Sequence, residues 1–236
     1  MAEGLKYGVV IVAAGSGQRM GGGLPKQFRM LEGMPVLGRT INLFAEAVNG
    51  IDIVVVLPAG RIDFWRDFAA RFDIARHKCA AGGEERFHSV RNGLAALSPS
   101  VDLVAVHDGV RPLATAALVQ RCFDCAAVSG TAVPAVAVAD SCRRIAGDGS
   151  SQPVDRSSLR LVQTPQVFAA DVLRTVYERD YAAEFTDDAT LVERAGIGIT
   201  LCEGERTNIK LTEPDDFAVA AAIIERRNET DAESAE

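Results

Sequence analysis

A chain of 236 residues, 48% hydrophobic and with a formal charge of −7, can bury a sizeable core and is too acidic to be built for a nucleic-acid backbone. Its apolar runs are strand-sized, which excludes a transmembrane helix, and residues 1–8 (MAEGLKYG) lack the cationic start and apolar stretch of a signal peptide. The expected setting is cytoplasmic, with no membrane or nucleic-acid partner and with the five cysteines reduced.

Residues 7–13 form a continuous β-branched run that predicts a buried strand. A glycine-rich stretch follows. Leu37, Ile41, Phe44 and Val48 then recur at helical spacing. Residues 51–57 (IDIVVVL) predict a second buried strand, 61–71 a helix, 74–80 a shorter strand and 85–97 a helix. A buried strand over 102–107, a helix over 114–128 and a strand over 130–138 continue the alternation. Such a series predicts an α/β fold, a doubly wound and mainly parallel Rossmann-like sheet with ligands beyond the carboxyl ends of its strands. The loops after Ala13 and around His107–Pro112 (HDGVRP) then share one rim.

Residues 139–166 are polar, without helical periodicity, and carry a Gly/Ser/Pro tip between strand-like ends. They predict a projecting β-arm, and an arm with apolar residues to cover implies a homodimer. Thr186 is expected to cap a helix beginning DDATLVERA, residues 197–202 and 207–211 to be short strands, and Thr212 to cap a last helix whose inner face is Phe217, Ala220, Ala221 and Ile224. Residues 1–228 read as one domain and 229–236 as a disordered polar tail. Cys122 and Cys125 form a CxxC, but no second pair completes a metal set, so the structural reading is preferred.

The glycine-rich stretch, VVIVAAGSGQRMGGGLPKQF over 9–28, fits neither familiar phosphate fingerprint. Met20 replaces the third glycine of G-x-G-x-x-G, and Lys26 lies between Pro25 and Gln27 rather than in a Gly-Lys-Ser/Thr sequence. What remains is a strand, a flexible turn over 14–17, and two cations, Arg19 and Lys26, on one loop. Glycine lets backbone N–H groups approach a phosphate, arginine grips its oxygens in pairs and lysine adds a point charge. A plain connection with surface cations is the bland alternative.

Taken in order, AAGSGQRMGGGLPKQF, GGEERFHSV (82–90), HDGVRP (107–112), VDR (154–156), TPQVF (164–168), TDDA (186–189) and NIKLTEPDD (208–216) resemble the 2-C-methyl-D-erythritol 4-phosphate cytidylyltransferase family, from about Val9 to Phe217. The resemblance implies transfer of a cytidylyl group from CTP to methylerythritol phosphate, with pyrophosphate released and Mg²⁺ or another divalent cation present. The attacking phosphate is already an anion, so cations rather than a general base are the requirement. The resemblance implies that Arg19 and Lys26 stabilise the α-phosphate and departing pyrophosphate, and that Arg156 and Lys210 position the second substrate. It implies that Ala13, Ala14, Gly15, Ser16, Gly17, Gly82, Glu84 and Ser89 hold the nucleotide. Asp108 would contact CTP, the polyol hydroxyls or a metal-bound water, supported by Arg111, with Asp140, Ser141 and Thr164 completing the polyol pocket. In the family the arm crosses to the neighbouring subunit, so Arg156 and Ser141 would serve the partner's site.

Each assignment has a plainer counterpart. Asp108 and Arg111 could simply pair with each other, Asp155 and Arg156 could be solvated, Lys210 could snorkel, Glu84 and Glu85 could open a helix, and His107 could satisfy a backbone group. Ser141 stands where threonine is usual, Arg143 or Arg144 where lysine is, and HDGVRP where HDAARP is frequent. Ribitol 5-phosphate cytidylyltransferase is therefore the nearest rival, a molybdopterin or hexose-phosphate nucleotidyltransferase a further one, and a non-catalytic nucleotide-sensing protein the rival from another class.

Overall fold

The computed structural model describes residues 4–15 and 24–233. The elements are β1 (Tyr7–Val12), β2 (Met30–Leu31), β3 (Met34–Pro35), α1 (Val36–Ala47), β4 (Asp52–Leu57), α2 (Ile62–Ala69), β5 (Lys78–Ala81), α3 (Arg86–Ala96), β6 (Leu103–Asp108) and α4 (Ala116–Ser129). They continue with β7 (Thr131–Ala137), β8 (Cys142–Ile145), β9 (Ser151–Val154), β10 (Arg160–Val162), β11 (Gln166–Ala169), α5 (Ala170–Val176), α6 (Asp188–Arg194), β12 (Leu201–Glu203) and α7 (Asp215–Glu233). The main sheet runs β10-β7-β11-β6-β1-β4-β5, with β12 on β7.

Strand β1 is apolar on both faces because helices cover both. Val9 and Ile11 join Phe44 of α1 and Phe123 of α4 in one core. Val10 joins Phe87, Val90 and Leu94 of α3 in the other. Burial of that kind on both sides is what makes a parallel strand read as an unbroken hydrophobic run. Helix α3 lies against the sheet at glycine distance: a Cβ on Gly93 would fall 2.4 Å from Val10 Cγ1 and 2.8 Å from Val56 Cγ2. Register then builds the rim. Val12 pairs with Asp108 and with Val56, so the chain leaves β1, β4 and β6 at one level. No helix among the described residues is long and apolar enough to cross a membrane.

The sheet is more mixed than the alternation predicts. Strand β11 runs antiparallel between β6 and β7, and β10 is antiparallel to β7. The arm is a β8–β9 hairpin with largely exposed faces. Strand β5 begins only at Lys78, because the segment before it is claimed by side chains: Asn42 binds the Asp73 carbonyl and the Ala75 N–H. No strand forms over 207–211. There, Gln163 and Arg111 side chains take the Glu205 and Asn208 carbonyls that a ladder would need.

Two caps differ from expectation. Asp187, not Thr186, accepts the Thr190 N–H at the start of α6. At α7 the Asp216 carboxylate reaches back to the Thr212 and Glu213 N–H groups, so Thr212 is capped rather than capping. The tail expected to be disordered from 229 is helical to Glu233. Arg227 pins this helix by donating to the Leu113 carbonyl and Thr207 Oγ1, and the Thr230 hydroxyl donates back to the Arg226 carbonyl in the turn beyond it. Cys122 is buried on α4 with its sulfur 3.5 Å from that of Cys202, consistent with a structural cysteine.

Candidate functional site

Asp108 ends β6 inside a knot of cations. Lys210 Nζ lies 3.0 Å and Arg111 Nε 3.4 Å from its Oδ2, and Arg86 Nε lies 3.9 Å from its Oδ1. Burial pushes the carboxyl up, yet Lys210, Arg86 and Arg111 together hold it far below the usual carboxylate range. Lys210 arrives from a distant segment because that segment is stitched to the β6 loop. The Leu211 N–H donates to the Val110 carbonyl, and Arg111 Nη1 donates to the Asn208 carbonyl at 2.8 Å. Leu211 is then buried with Val110 and Ala220 of α7.

Behind Asp108, His107 is buried and its hydrogen bonds determine its tautomer. The Arg111 carbonyl, 3.2 Å from Nε2, can only accept, so Nε2 carries the proton. Nδ1 is then the acceptor of the Thr164 hydroxyl at 3.1 Å, and Thr164 Oγ1 in turn accepts the Asp108 N–H at 3.1 Å. Burial pushes the imidazole down to about 4. The plain expectation for His107, that it satisfies a backbone group, is met, while Thr164 sits behind the carboxylate as a support for the β6 end.

This gives a signed pH dependence. The unfolded imidazole takes its proton near about pH 6.5 while the folded one refuses it until about 4, so this contribution is complete above pH 6.5 and is lost as pH falls toward 4. We expect a loss of about 3 kcal/mol of unfolding free energy across that window. Urea midpoints measured against pH should show a steeper fall for the native chain than for His107→Gln, whose amide can serve both neighbours without titrating. Parallel profiles would refute the assignment.

The turns after β1, β5 and β6 meet at the same rim. The N–H groups of Ala13, Gly82 and Gly109 donate to the carbonyls of Val56, Leu57 and Val12, prolonging the parallel ladder past the strand ends. A Cβ on Gly82 would fall 2.5 Å from Ala14 Cβ, and one on Gly109 3.0 Å from Ala13 Cβ. Glycine is needed for this approach. Ser89, buried on α3, accepts the Gly83 N–H, and Glu85 caps α3 in a reciprocal box with His88. Glu84 is exposed beside that cap and Gly15 is exposed at the loop's start. Lys26 begins a 3-10 turn whose next residue, Gln27, is buried and donates to the carbonyls of Ala13 and Gly15. Its neighbour Phe28 stacks on Trp65, and the Lys26 charge helps lower the Asp216 carboxyl. The loop's two ends are thus clamped together.

Ser16, Gly17 and Arg19 lie outside the described residues. Asp140, Ser141 and Arg156 are exposed on the arm, and none of them is among the ion-pair partners of Asp108. The Arg156 guanidinium donates to the Ala139 carbonyl. Three cations surround Asp108, Lys210 and Arg111 on Oδ2 and Arg86 facing Oδ1, and no three His, Cys, Asp or Glu side chains cluster among the described residues.

Sequence reasoning missed Arg86, Asp188, Tyr177 and Gln27. Arg86 Nη2 lies 2.6 Å from Oδ2 of fully buried Asp188, whose Oδ1 accepts the Tyr177 hydroxyl. Both charged residues stand in the segments GGEERFHSV and TDDA, but nothing in either string announces its partner.

A family model described as IspD, 2-C-methyl-D-erythritol 4-phosphate cytidylyltransferase, matches residues 7–226. The proteins of that name from Bacteroides fragilis and Geobacillus thermodenitrificans are 45% and 42% identical to this chain. The alignments cover 91% of this chain and 98% of the first, and 94% of this chain and 99% of the second. The crystal structure of the Thermus thermophilus protein of that name superposes with a TM-score of 0.75 at 33% identity, covering 93% of this chain and 98% of that one. The 4-diphosphocytidyl-2C-methyl-D-erythritol synthase structure from Anaerococcus prevotii gives 0.80 at 27%, covering 94% and 100%. With the family matched over residues 7–226 and Gly82 and Gly109 packed on Ala14 and Ala13 at the rim, this chain belongs to the 2-C-methyl-D-erythritol 4-phosphate cytidylyltransferases.

Proposed function

We propose that this chain transfers the cytidylyl group of CTP to 2-C-methyl-D-erythritol 4-phosphate, giving 4-diphosphocytidyl-2-C-methyl-D-erythritol and pyrophosphate, a step of non-mevalonate isoprenoid precursor synthesis. The observation that carries this reading is the convergence at the β6 end, where Asp108 draws Lys210 to within 3.0 Å beside the glycine loops after β1 and β5. An oxygen of the phosphate monoester attacks the α-phosphorus of CTP, a new P–O bond forms, and the bond to the β-phosphate oxygen breaks as pyrophosphate leaves. The nucleophile is already ionised, so the work is to bring two anions together in line and to neutralise charge on the departing group.

Lys26 and Arg19 take the triphosphate side. Lys210, parked on Asp108 in the free chain, takes the phosphate of the second substrate, and Arg111 keeps the carboxylate in place. Backbone groups from Ala13 to Gly17 and at Gly82, with Ser89 and Glu84, hold the nucleoside. Thr164 supports the polyol side, and Asp140, Ser141 and Arg156 reach the neighbouring subunit's site on the crossing arm. Two features of the arm favour a homodimer: Ile145, Leu161 and Val162 are 66%, 56% and 47% exposed, and Arg156 is engaged with its own arm rather than with Asp108. A divalent cation would come with the triphosphate, whose anionic oxygens are the ligands such an ion prefers. The setting is cytoplasmic.

Pyrophosphate release from CTP with a panel of polyol phosphates tests the reading. Methylerythritol phosphate should be the preferred acceptor. A preference for ribitol 5-phosphate would reassign the polyol pocket. CTP binding without turnover on any acceptor would make the chain a nucleotide-binding protein.

A further inference from the structure

Lys210 and Arg111 both meet Oδ2 of Asp108, and among the described residues none donates a hydrogen bond to Oδ1. Two cations on one oxygen do not by themselves fix the direction of the other, because the carboxylate can still pivot about the oxygen they hold. Arg86 limits that pivoting. Its Nε faces Oδ1 at 3.9 Å, beyond hydrogen-bond reach but well within electrostatic reach. Its far end is tied to Asp188, fully buried on α6, which Tyr177 holds from the other side at 2.5 Å. An unpaired carboxylate could not be buried there without large cost, so Asp188 fixes the guanidinium in one orientation.

We infer that Arg86 is a positioning residue: clamped by Asp188 and Tyr177, it turns Oδ1 of Asp108 outward as the free acceptor for a hydroxyl of the polyol phosphate. This rests on the function proposed above. The placement is economical, because Arg86 opens α3 directly after the Gly82–Glu85 turn and Gly93 seats that helix on β1 and β4. The nucleotide turn and the polyol carboxylate are therefore held by one rigid element. A lysine could keep a charge for Asp188, but it has no fork with which to face Asp108 at the same time.

The test uses steady-state pyrophosphate release by the full chain, with each substrate varied in turn. Arg86→Lys should melt close to the native temperature, yet its KM for methylerythritol phosphate should rise about tenfold, the loss of one oriented charge-assisted contact, with the KM for CTP within about twofold. Tyr177→Phe leaves both charges in place and loosens only the clamp; it should raise the same KM about threefold and spare CTP. Equal rises for both substrates, or a lowered melting temperature with both KM values unchanged, would overturn the inference. Should Arg86→Lys fail to fold, Tyr177→Phe decides alone, and an unchanged polyol KM would refute the clamp. A native chain inert with CTP and every polyol phosphate sinks the proposed function as well, whereas an active native chain with unaffected variants sinks only the role of Arg86.

Discussion

Replacing Lys26 with alanine is expected to lower kcat by about 10²–10³ while changing the dissociation constant for CTP by less than about tenfold. The asymmetry follows from where the side chain stands. Lys26 is half-buried on a turn whose neighbours are fixed: Gln27 holds the Ala13 and Gly15 carbonyls, and Phe28 is fully buried against Trp65. A cation presented by so rigid a mount interacts most strongly where charge grows, on the bridging oxygen and the leaving pyrophosphate, rather than with the ground-state nucleotide. In the proposed function the nucleoside is held by backbone groups that the substitution leaves untouched. Calorimetric CTP binding set beside single-turnover rates separates the two quantities, and parallel losses in both would contradict the transition-state role. Lys26→Arg should recover part of the rate, since charge returns with a different geometry.

The frame was legible because its signal is one of composition. A strand buried on both faces must be apolar throughout, so 7–13, 51–57 and 102–107 announced themselves, and their order implied which loops share a rim. Strand β11 did not announce itself: Gln166 is spent on the Asp187 carboxylate and the Ala189 N–H, so its sequence carries polar duties that mask a four-residue strand. The 207–211 segment misled in the opposite sense, since its backbone is satisfied by side chains from other loops. The site divides in the same way. Lys26, Asp108, Arg111 and Lys210 are recognisable from motifs alone. Arg86 and Asp188 are legible only as a pair, and a contact across 102 positions leaves no local trace. Gln27 is a further case: its role is to hold backbone oxygens 12 and 14 residues earlier, which no periodicity reports.

Two chains that are each inactive should restore activity when assembled together. Arg156→Ala and Lys26→Ala each remove a cation from the proposed chemistry, and each homodimer should be nearly inert. If the arm of one subunit completes the site of the other, a mixed dimer of these variants contains one site with both cations and one site with neither. Random assembly makes half of the dimers mixed, and one of the two sites in each is intact, so co-expressed chains should recover about a quarter of the native activity. The structure motivates this directly. Arg156 is exposed, its guanidinium is bonded to Ala139 of its own arm, and the hairpin that carries it presents Ile145 to solvent. Within one chain, by contrast, Asp108 has already gathered Lys210, Arg111 and Arg86. Cations spaced so tightly repel one another unless anions intervene, and among the described residues Asp108 and Asp188 are the carboxylates paired with them, which makes a fourth cation more tolerable once it arrives with the phosphates than as a permanent resident. Delivery from a second subunit meets that condition. Recovery absent from mixtures in which sedimentation confirms mixed dimers would mean that each chain uses its own Arg156 or none, and a chain that sediments as a monomer at working concentration would remove the crossing arm from the mechanism.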